Sequence, residues 1–200
     1  KLDKPKEFKL KNGIRVLVVE NHKLPRINYS LRFDRKPVVE GEKTGVISLL
    51  GSMLGNGTTS ITKDDFNEEV DFLGAGINVG FGSGFAFTLT KNNERVLELF
   101  SDAVINPLLT EEEFEKEKDK LIEGLKSQKK DIDAISGRVG DALSYGKTHA
   151  YGEFISEQTI DNIKFEDILE YHAKYFIPNN VYIVVIGDVN YKEVKSLISE

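Results

Sequence analysis

Alternating apolar and polar residues indicate strands in several parts of the chain. Apolar residues alternate with lysines over residues 8–10, and the Asn-Gly pair at 12–13 is typical of a two-residue hairpin turn before an apolar run at 14–19. Residues 27–33 alternate again and predict a neighbouring strand. A further apolar run at 181–189 ends in Gly-Asp-Val and predicts a buried strand.

Apolar residues spaced by three and four positions predict helices between these strands. Residues 44–54 carry this spacing and are followed by glycines typical of a helix end. Two more helices have start signals, Thr62 and Thr110, each with an acidic residue three positions later. The helix after Thr110 is predicted to continue to about residue 145. Other predicted helices cover residues 92–106, 165–176 and 191–200.

Strands and helices mix without strict alternation, which predicts an α+β fold. In such a fold, helices pack on one face of an antiparallel or mixed sheet. A chain of 200 residues suits a single domain, residues 1–200. The chain begins without Met and stops inside a predicted helix. We therefore expect it to be part of a longer chain, with a processed or trimmed start.

The charge pattern excludes two classes of partner. Lys and Arg number 27 and Asp and Glu 33, which gives a net charge of −6, and the lysines are interleaved with glutamates. Without a basic stripe, binding to nucleic acid or to an anionic membrane surface is not expected. No apolar run reaches the roughly 18 residues that cross a bilayer, so membrane insertion is not expected either. A bacterial periplasm or cell envelope, after removal of an export signal, is the hypothesis for location.

The supply of metal-binding and nucleophilic residues is small. There is no Cys, which excludes a thiol nucleophile, a disulfide framework and a Cys-based zinc site. The three His residues, His22, His149 and His172, lie far apart along the chain, so no two of them share a helix face. His149 is expected to be a turn residue that is hydrogen-bonded to the backbone.

Four segments in a fixed order resemble the N-terminal half-domain of the M16 peptidases, the group of pitrilysin, insulin-degrading enzyme and mitochondrial processing peptidase. They are NGIRVLVVEN, EGEKTGVISLLGSMLGNGTTS, FEKEKDKLIEGL and the closing THAYGE to VVIGDV segment. The resemblance covers nearly the whole chain. It implies the fold of a metallohydrolase half-domain that belongs to a two-half, clamshell-shaped protease.

The resemblance also implies where a zinc site would lie. Family members carry an inverted His-x-x-Glu-His motif, in which two His one turn apart bind zinc and the Glu between them is the general base. Here those positions are Ser48, Gly51 and Ser52. Glu117 matches the family's supporting Glu, and the ligand Glu seven residues later falls on Gly124, or on Glu123 if the register is shifted by one residue. A neutral hydroxyl is a poor zinc ligand and glycine cannot act as a base, so neither zinc nor catalysis is expected.

Three functional hypotheses remain open. In the first, the chain is a non-catalytic half that pairs with a zinc-bearing M16 homologue or a second half-domain and helps to enclose peptide substrates. In the second, it is an active zinc metallopeptidase with unorthodox ligands such as Glu117, Glu123 and His149. In the third, it is a purely structural subunit of a larger complex.

Glycines interrupt the predicted hairpin around residues 77–91 and could allow a peptide backbone to approach. In the family, the sheet edge near the site can hold an extended peptide by strand addition. The candidate peptide-binding residues are therefore Gly80, Phe81, Gly82, Ser83 and Gly84. The alternative interpretation is a bent hairpin with bulges.

Overall fold

The computed structural model describes residues 4–179 and 181–199, and its contacts fall into two groups. We call residues 1–35, 54–108 and 176–200 the sheet unit, and residues 36–53 and 109–175 the helical unit. The expectation that residues 1–200 form one domain stays a prediction.

The sheet unit contains a six-stranded sheet in which the chain order is not the spatial order. Across the sheet the strands run β1-β2-β6-β3-β5-β4. β6 pairs with β2 in parallel, and the other pairs are antiparallel, so the sheet is mixed as predicted. The strands are β1 (Lys6–Lys9), β2 (Arg15–Glu20), β3 (Arg26–Phe33), β4 (Gly76–Val79), β5 (Ser83–Leu89) and β6 (Val181–Gly187).

One face of this sheet is buried. Alternate residues of β3, namely Ile27, Tyr29 and Leu31, are inaccessible to solvent, and their neighbours on β2 and β6 follow the same period of two. Helices of the sheet unit cover this face, as the contacts of Phe100 with Gly84 and of Tyr191 with Phe8 show. The prediction of helices packed on one face of a mixed sheet is confirmed.

Eight α-helices lie within the described residues. Thr62 and Thr110 cap their helices as predicted, because each side chain accepts a hydrogen bond from the N–H three residues later. The sheet unit holds α2 (Lys63–Phe72), α3 (Asn93–Ile105) and α8 (Tyr191–Ser199). The helical unit holds α1 (Val46–Met53), α4 (Glu111–Gln128), α5 (Ile132–Tyr145), α6 (Glu157–Asp161) and α7 (Phe165–Tyr175).

Two local predictions were wrong. The helix after Thr110 does not continue to residue 145: it ends at Gln128, and α5 begins after Asp131, whose carboxylate accepts hydrogen bonds from the backbone N–H of Asp133 and Ala134. The first hairpin also lacks a two-residue turn. Lys9 pairs with Arg15, and the three-residue loop between Leu10 and Ile14 closes through Gly13, whose φ is +98°.

Gly84 allows helix α3 to approach strand β5. A Cβ atom at Gly84 would lie 2.9 Å from the Phe100 ring, whereas one at Gly82 would meet nothing within 4 Å. We expect Gly84→Ala to lower the free energy of unfolding by about 1–3 kcal/mol through overpacking. The matched Gly82→Ala should change it by less than about 0.5 kcal/mol. Urea unfolding measures both, and equal effects of the two substitutions would contradict this account.

Candidate functional site

Helix α1 carries the three positions at which the family resemblance places a zinc motif. Its core side is apolar: Val46, Leu49, Leu50 and Met53 are buried. Ser48 and Ser52 lie on the exposed side. The Ser52 hydroxyl donates a hydrogen bond to the Leu49 carbonyl at 2.9 Å, a local bond common for serine within helices.

Helix α4 supplies the other wall of this site. A shallow pocket of about 220 Å³ is lined by Ser48, Leu49 and Ser52 from α1 and by Glu117, Lys120 and Leu121 from α4. The structure thus brings Glu117 to the serine positions, as the resemblance implies. Gly124 contributes no side chain to the pocket, and Glu123 and His149 are not among its lining residues.

Lys120 brings a positive charge into the pocket. Its ammonium donates a hydrogen bond to the Glu117 carboxylate at 2.6 Å, and that carboxylate is only 14% exposed. The hydrogen bond from Lys120 to Glu117 raises the pKa of Lys120 further above neutral pH. The sequence analysis did not identify Lys120, although its i,i+3 spacing from Glu117 was a usable signal.

The residues of this pocket do not fit a zinc ion. They offer two hydroxyls and one carboxylate that already has a cationic partner, whereas protein zinc sites use imidazole, thiolate and carboxylate ligands. Elsewhere in residues 4–179 and 181–199, no group of three or more His, Asp or Glu side chains could hold a metal ion. The unorthodox set of Glu117, Glu123 and His149 is thus not gathered at one point.

His149 lies in a turn, as predicted. Its Nδ1 accepts a hydrogen bond from the N–H of Tyr151 at 3.2 Å. Its ring stacks on that of Tyr145, with the two ring centroids 5.5 Å apart. In the sheet unit, His22 Nδ1 lies 2.7 Å from a carboxylate oxygen of Asp188, at the end of β6. Both contacts suit structural roles.

Two carboxylates hold the start of α1. The Glu40 carboxylate accepts hydrogen bonds from the backbone N–H of Gly45 and Ile47, at 3.1 and 2.8 Å. The Glu153 carboxylate in turn accepts from the N–H of Glu40 and Gly41, at 2.9 and 2.7 Å. Because the first N–H groups of a helix have no partner within it, the Glu40 bonds fix where α1 begins, and the Glu153 bonds hold Glu40 itself in place.

The candidate peptide-binding residues lie where β4 turns into β5 in the sheet unit. Gly84 is on the buried face under Phe100, and Ser83 pairs with Arg32 of β3. Phe81 is held beneath the Arg35 guanidinium, whose carbon lies 3.7 Å from the ring centroid, and Arg35 also donates a hydrogen bond to the Phe81 carbonyl. Gly80 and Gly82 complete the turn. Peptide binding by these five residues stays a prediction.

Comparisons with known proteins find M16 peptidases and zinc proteases among the chains similar to this one. The family model described as the Peptidase M16 inactive domain matches residues 162–200. An uncharacterized zinc protease of Rickettsia felis is 24% identical over 94% of this chain and 47% of its own length. The mitochondrial-processing peptidase subunit beta of Rattus norvegicus is 25% identical over 94% of this chain and 40% of its own. The crystal structure of a peptidase M16 inactive domain from Pseudomonas fluorescens has the same fold, with a TM-score of 0.86, 23% identity and coverage of 98% of this chain and 49% of that one.

Together these matches support an M16-like half-domain. This chain spans about half the length of the curated relatives it matches. The chain carries Ser48, Gly51 and Ser52 where the family resemblance places the zinc motif. No helix in the described part of the chain is both long enough and apolar enough to cross a bilayer.

The stability that Glu40 gives to the start of α1 should come from its acceptor oxygen more than from the negative charge of its carboxylate. Burial raises the pKa of the Glu40 carboxyl, so folding favours its protonated form. Its contribution to stability is thus complete below the unfolded pKa near 4.5 and is lost as pH rises through the folded pKa. We expect Glu40→Ala to cost about 1 kcal/mol at pH 7, while Glu40→Gln, which retains an acceptor oxygen, costs nothing or stabilises. Urea unfolding at pH 7 and pH 4 tests this, and a Gln variant as unstable as the Ala variant at pH 7 would refute it.

Restoring the ligands should restore zinc binding if the residue correspondence is correct. We expect Ser48→His, Ser52→His, Gly124→Glu and Lys120→Gln together to give about one zinc per chain. The matched control replaces the same positions with Asn, Asn, Gln and Gln, which are poor zinc ligands. Calorimetric zinc titration and circular dichroism separate binding from folding. If the variant with all four substitutions folds but takes up no zinc, these positions do not form the family's zinc site.

Proposed function

We propose that this chain is a non-catalytic M16 half-domain that pairs with a zinc-bearing half and helps to enclose peptide substrates. The observation that carries the proposal is the ion pair between Lys120 and Glu117 beside Ser48 and Ser52. An ammonium occupies the neighbourhood where a zinc-dependent protease needs a metal ion and a general base. Hydrolysis of a peptide bond would therefore take place on the partner half.

An unpaired apolar stripe on α5 supports the pairing. One face of this helix carries four apolar residues at helical spacing, Ile132, Ile135, Val139 and Leu143. No α5 residue is buried. Ile132 and Leu143 are 80% and 82% exposed. Exposed apolar faces of this kind mark interaction sites.

A second M16 half is the occupant that the comparisons favour for this stripe. The relatives are about twice as long as the region matched, and the rat relative is a subunit by name. The same stripe would also suit the purely structural hypothesis, in which the chain is only an architectural subunit. Peptide hydrolysis by the assembled complex separates the two.

We expect the stripe to control assembly. Leu143→Asp places a charge inside the apolar face and should weaken co-purification with a co-expressed zinc-bearing homologue at least tenfold. Ser144→Asp adds the same charge one residue away, outside the stripe, and should leave the complex intact. The assembled complex should cleave peptides, and this activity should persist in the Glu117→Gln variant.

Three results would contradict the proposal. Equal retention of the Leu143→Asp and Ser144→Asp variants would remove α5 from the interface. A complex without peptidase activity would favour the structural hypothesis. Loss of hydrolysis on Glu117→Gln, in a complex that still assembles, would make this half the catalytic one.

A further inference from the structure

The Asn-Gly pair in the first hairpin can react with itself. In an Asn-Gly peptide, the backbone nitrogen of the glycine can attack the side-chain carbonyl carbon of the asparagine, because glycine has no Cβ that blocks the approach. Asn12 and Gly13 lie in the three-residue loop between β1 and β2. A second Asn-Gly pair, Asn56 and Gly57, offers a comparison within the same molecule.

The loop activates the Asn12 side chain for this attack. The backbone N–H of Ile14 donates a hydrogen bond to Asn12 Oδ1 at 3.2 Å. This bond closes a small ring, an Asx turn, which contains both Asn12 Cγ and the Gly13 nitrogen. It also stabilises the negative charge that develops on Oδ1 during the attack, as the donors of an oxyanion hole do. The loop therefore holds the two reacting atoms together and polarises the carbonyl.

The Gly13 nitrogen must lose its proton before it can attack. Its N–H donates a hydrogen bond to the Leu10 carbonyl at 3.0 Å. A single bond in a short loop opens readily, so it should slow the reaction by less than about tenfold. A Cβ atom built at Gly13 would meet no described atom within 4 Å. The peptide plane therefore has room to rotate into the geometry that the attack needs.

The second Asn-Gly pair is held in place by its neighbours. The Asn56 side-chain amide donates a hydrogen bond to the Leu54 carbonyl at 3.3 Å. The Gly57 carbonyl accepts one from the N–H of Leu108 at 3.2 Å. A Cβ atom at Gly57 would lie 3.0 Å from the backbone oxygen of Ile61. Rotation of this peptide plane requires the whole turn to open, so the reaction here should be much slower.

We propose that Asn12 is a deamidation site and that its isoaspartate product releases strand β1 from the sheet. The Gly13 N–H gives its proton to solvent, and the nitrogen bonds to Asn12 Cγ. The bond from Cγ to Nδ2 then breaks, and Nδ2 takes up a proton and leaves as ammonia, which gives a cyclic imide. Water adds to either ring carbonyl. Cleavage of the new N–Cγ bond gives aspartate, and cleavage of the original peptide bond gives isoaspartate.

Isoaspartate would disturb the hairpin because the backbone then runs through the side chain and gains a carbon atom. β1 is the edge strand of the sheet and pairs with β2 alone. The bond from the Leu10 N–H to the Ile14 carbonyl, at 2.8 Å, depends on the length of the loop. The burial of Phe8 and its ring contact with Tyr191 depend on the register that this loop sets. Aspartate leaves the backbone unchanged. This inference goes beyond the proposed pairing and does not depend on it.

Peptide mass spectrometry of the full-length polypeptide that contains this chain tests the site. The folded protein and a urea-unfolded sample are incubated in heavy-oxygen water at mildly alkaline pH, and incorporation of heavy oxygen is followed at Asn12 and Asn56. Each rate in the folded protein is divided by the rate at the same site in urea. This ratio should be at least about tenfold larger for Asn12 than for Asn56. Equal ratios, or a larger one for Asn56, would overturn the proposal.

Hydrogen exchange tests the release of β1. The isoaspartate fraction is separated by chromatography, and exchange of the β1 backbone N–H groups should be at least about fivefold faster in it than in fresh protein. The matched control is Asn12→Asp, which carries the added charge and keeps both the backbone and an acceptor for the Ile14 N–H. This variant should exchange as the fresh protein does. Unchanged exchange in the isoaspartate fraction, or equally fast exchange in the Asn12→Asp variant, would overturn the release of β1.

Discussion

Strand β3 is hydrogen-bonded along both edges, and its register decides what the sheet unit presents on each face. Ile27, Tyr29 and Leu31 face the core because β5 and β6 pair with β3 at matching positions. A slip by one residue would turn Arg26 and Arg32 inward and the core residues outward. The buried core and the composition of the opposite face are therefore two consequences of one pairing. The closing strand β6, inserted between β2 and β3, completes both.

In the helical unit, α1 and α4 together line the pocket at which the family resemblance places a metal site. The apolar side of α1 is fully buried, so the helix does not need a metal ion to be held in place. Its first turn is bonded to the Glu40 carboxylate, and the Glu153 carboxylate holds the backbone of Glu40 and Gly41 before it. Within the pocket, the Lys120 ammonium neutralises the Glu117 carboxylate. The buried side of α1 thus holds this helix in place without a metal ion, beside a pocket whose carboxylate is ion-paired.

The sequence predicted most elements because local signals specified them. The caps at Thr62 and Thr110, the alternation in β3 and the spacing in α1 all agree with the structure. The break at Asp131 was missed because helical propensity continues through it, and only its side-chain capping bonds reveal it. Ser48, Ser52 and Glu117 were found through the family resemblance. The strand order of the sheet was not predictable, since it depends on which strands become neighbours across long sequence separations.

The proposed non-catalytic role requires that this half binds no zinc. The direct test is elemental analysis of the wild-type protein, purified without chelators, reloaded with zinc and then desalted. We predict a zinc content close to zero per chain, because the pocket offers hydroxyls and an ammonium where a metal needs strong ligands. About one zinc per chain, lost on Glu117→Ala, would contradict the account and make this half-domain an enzyme with a rebuilt site.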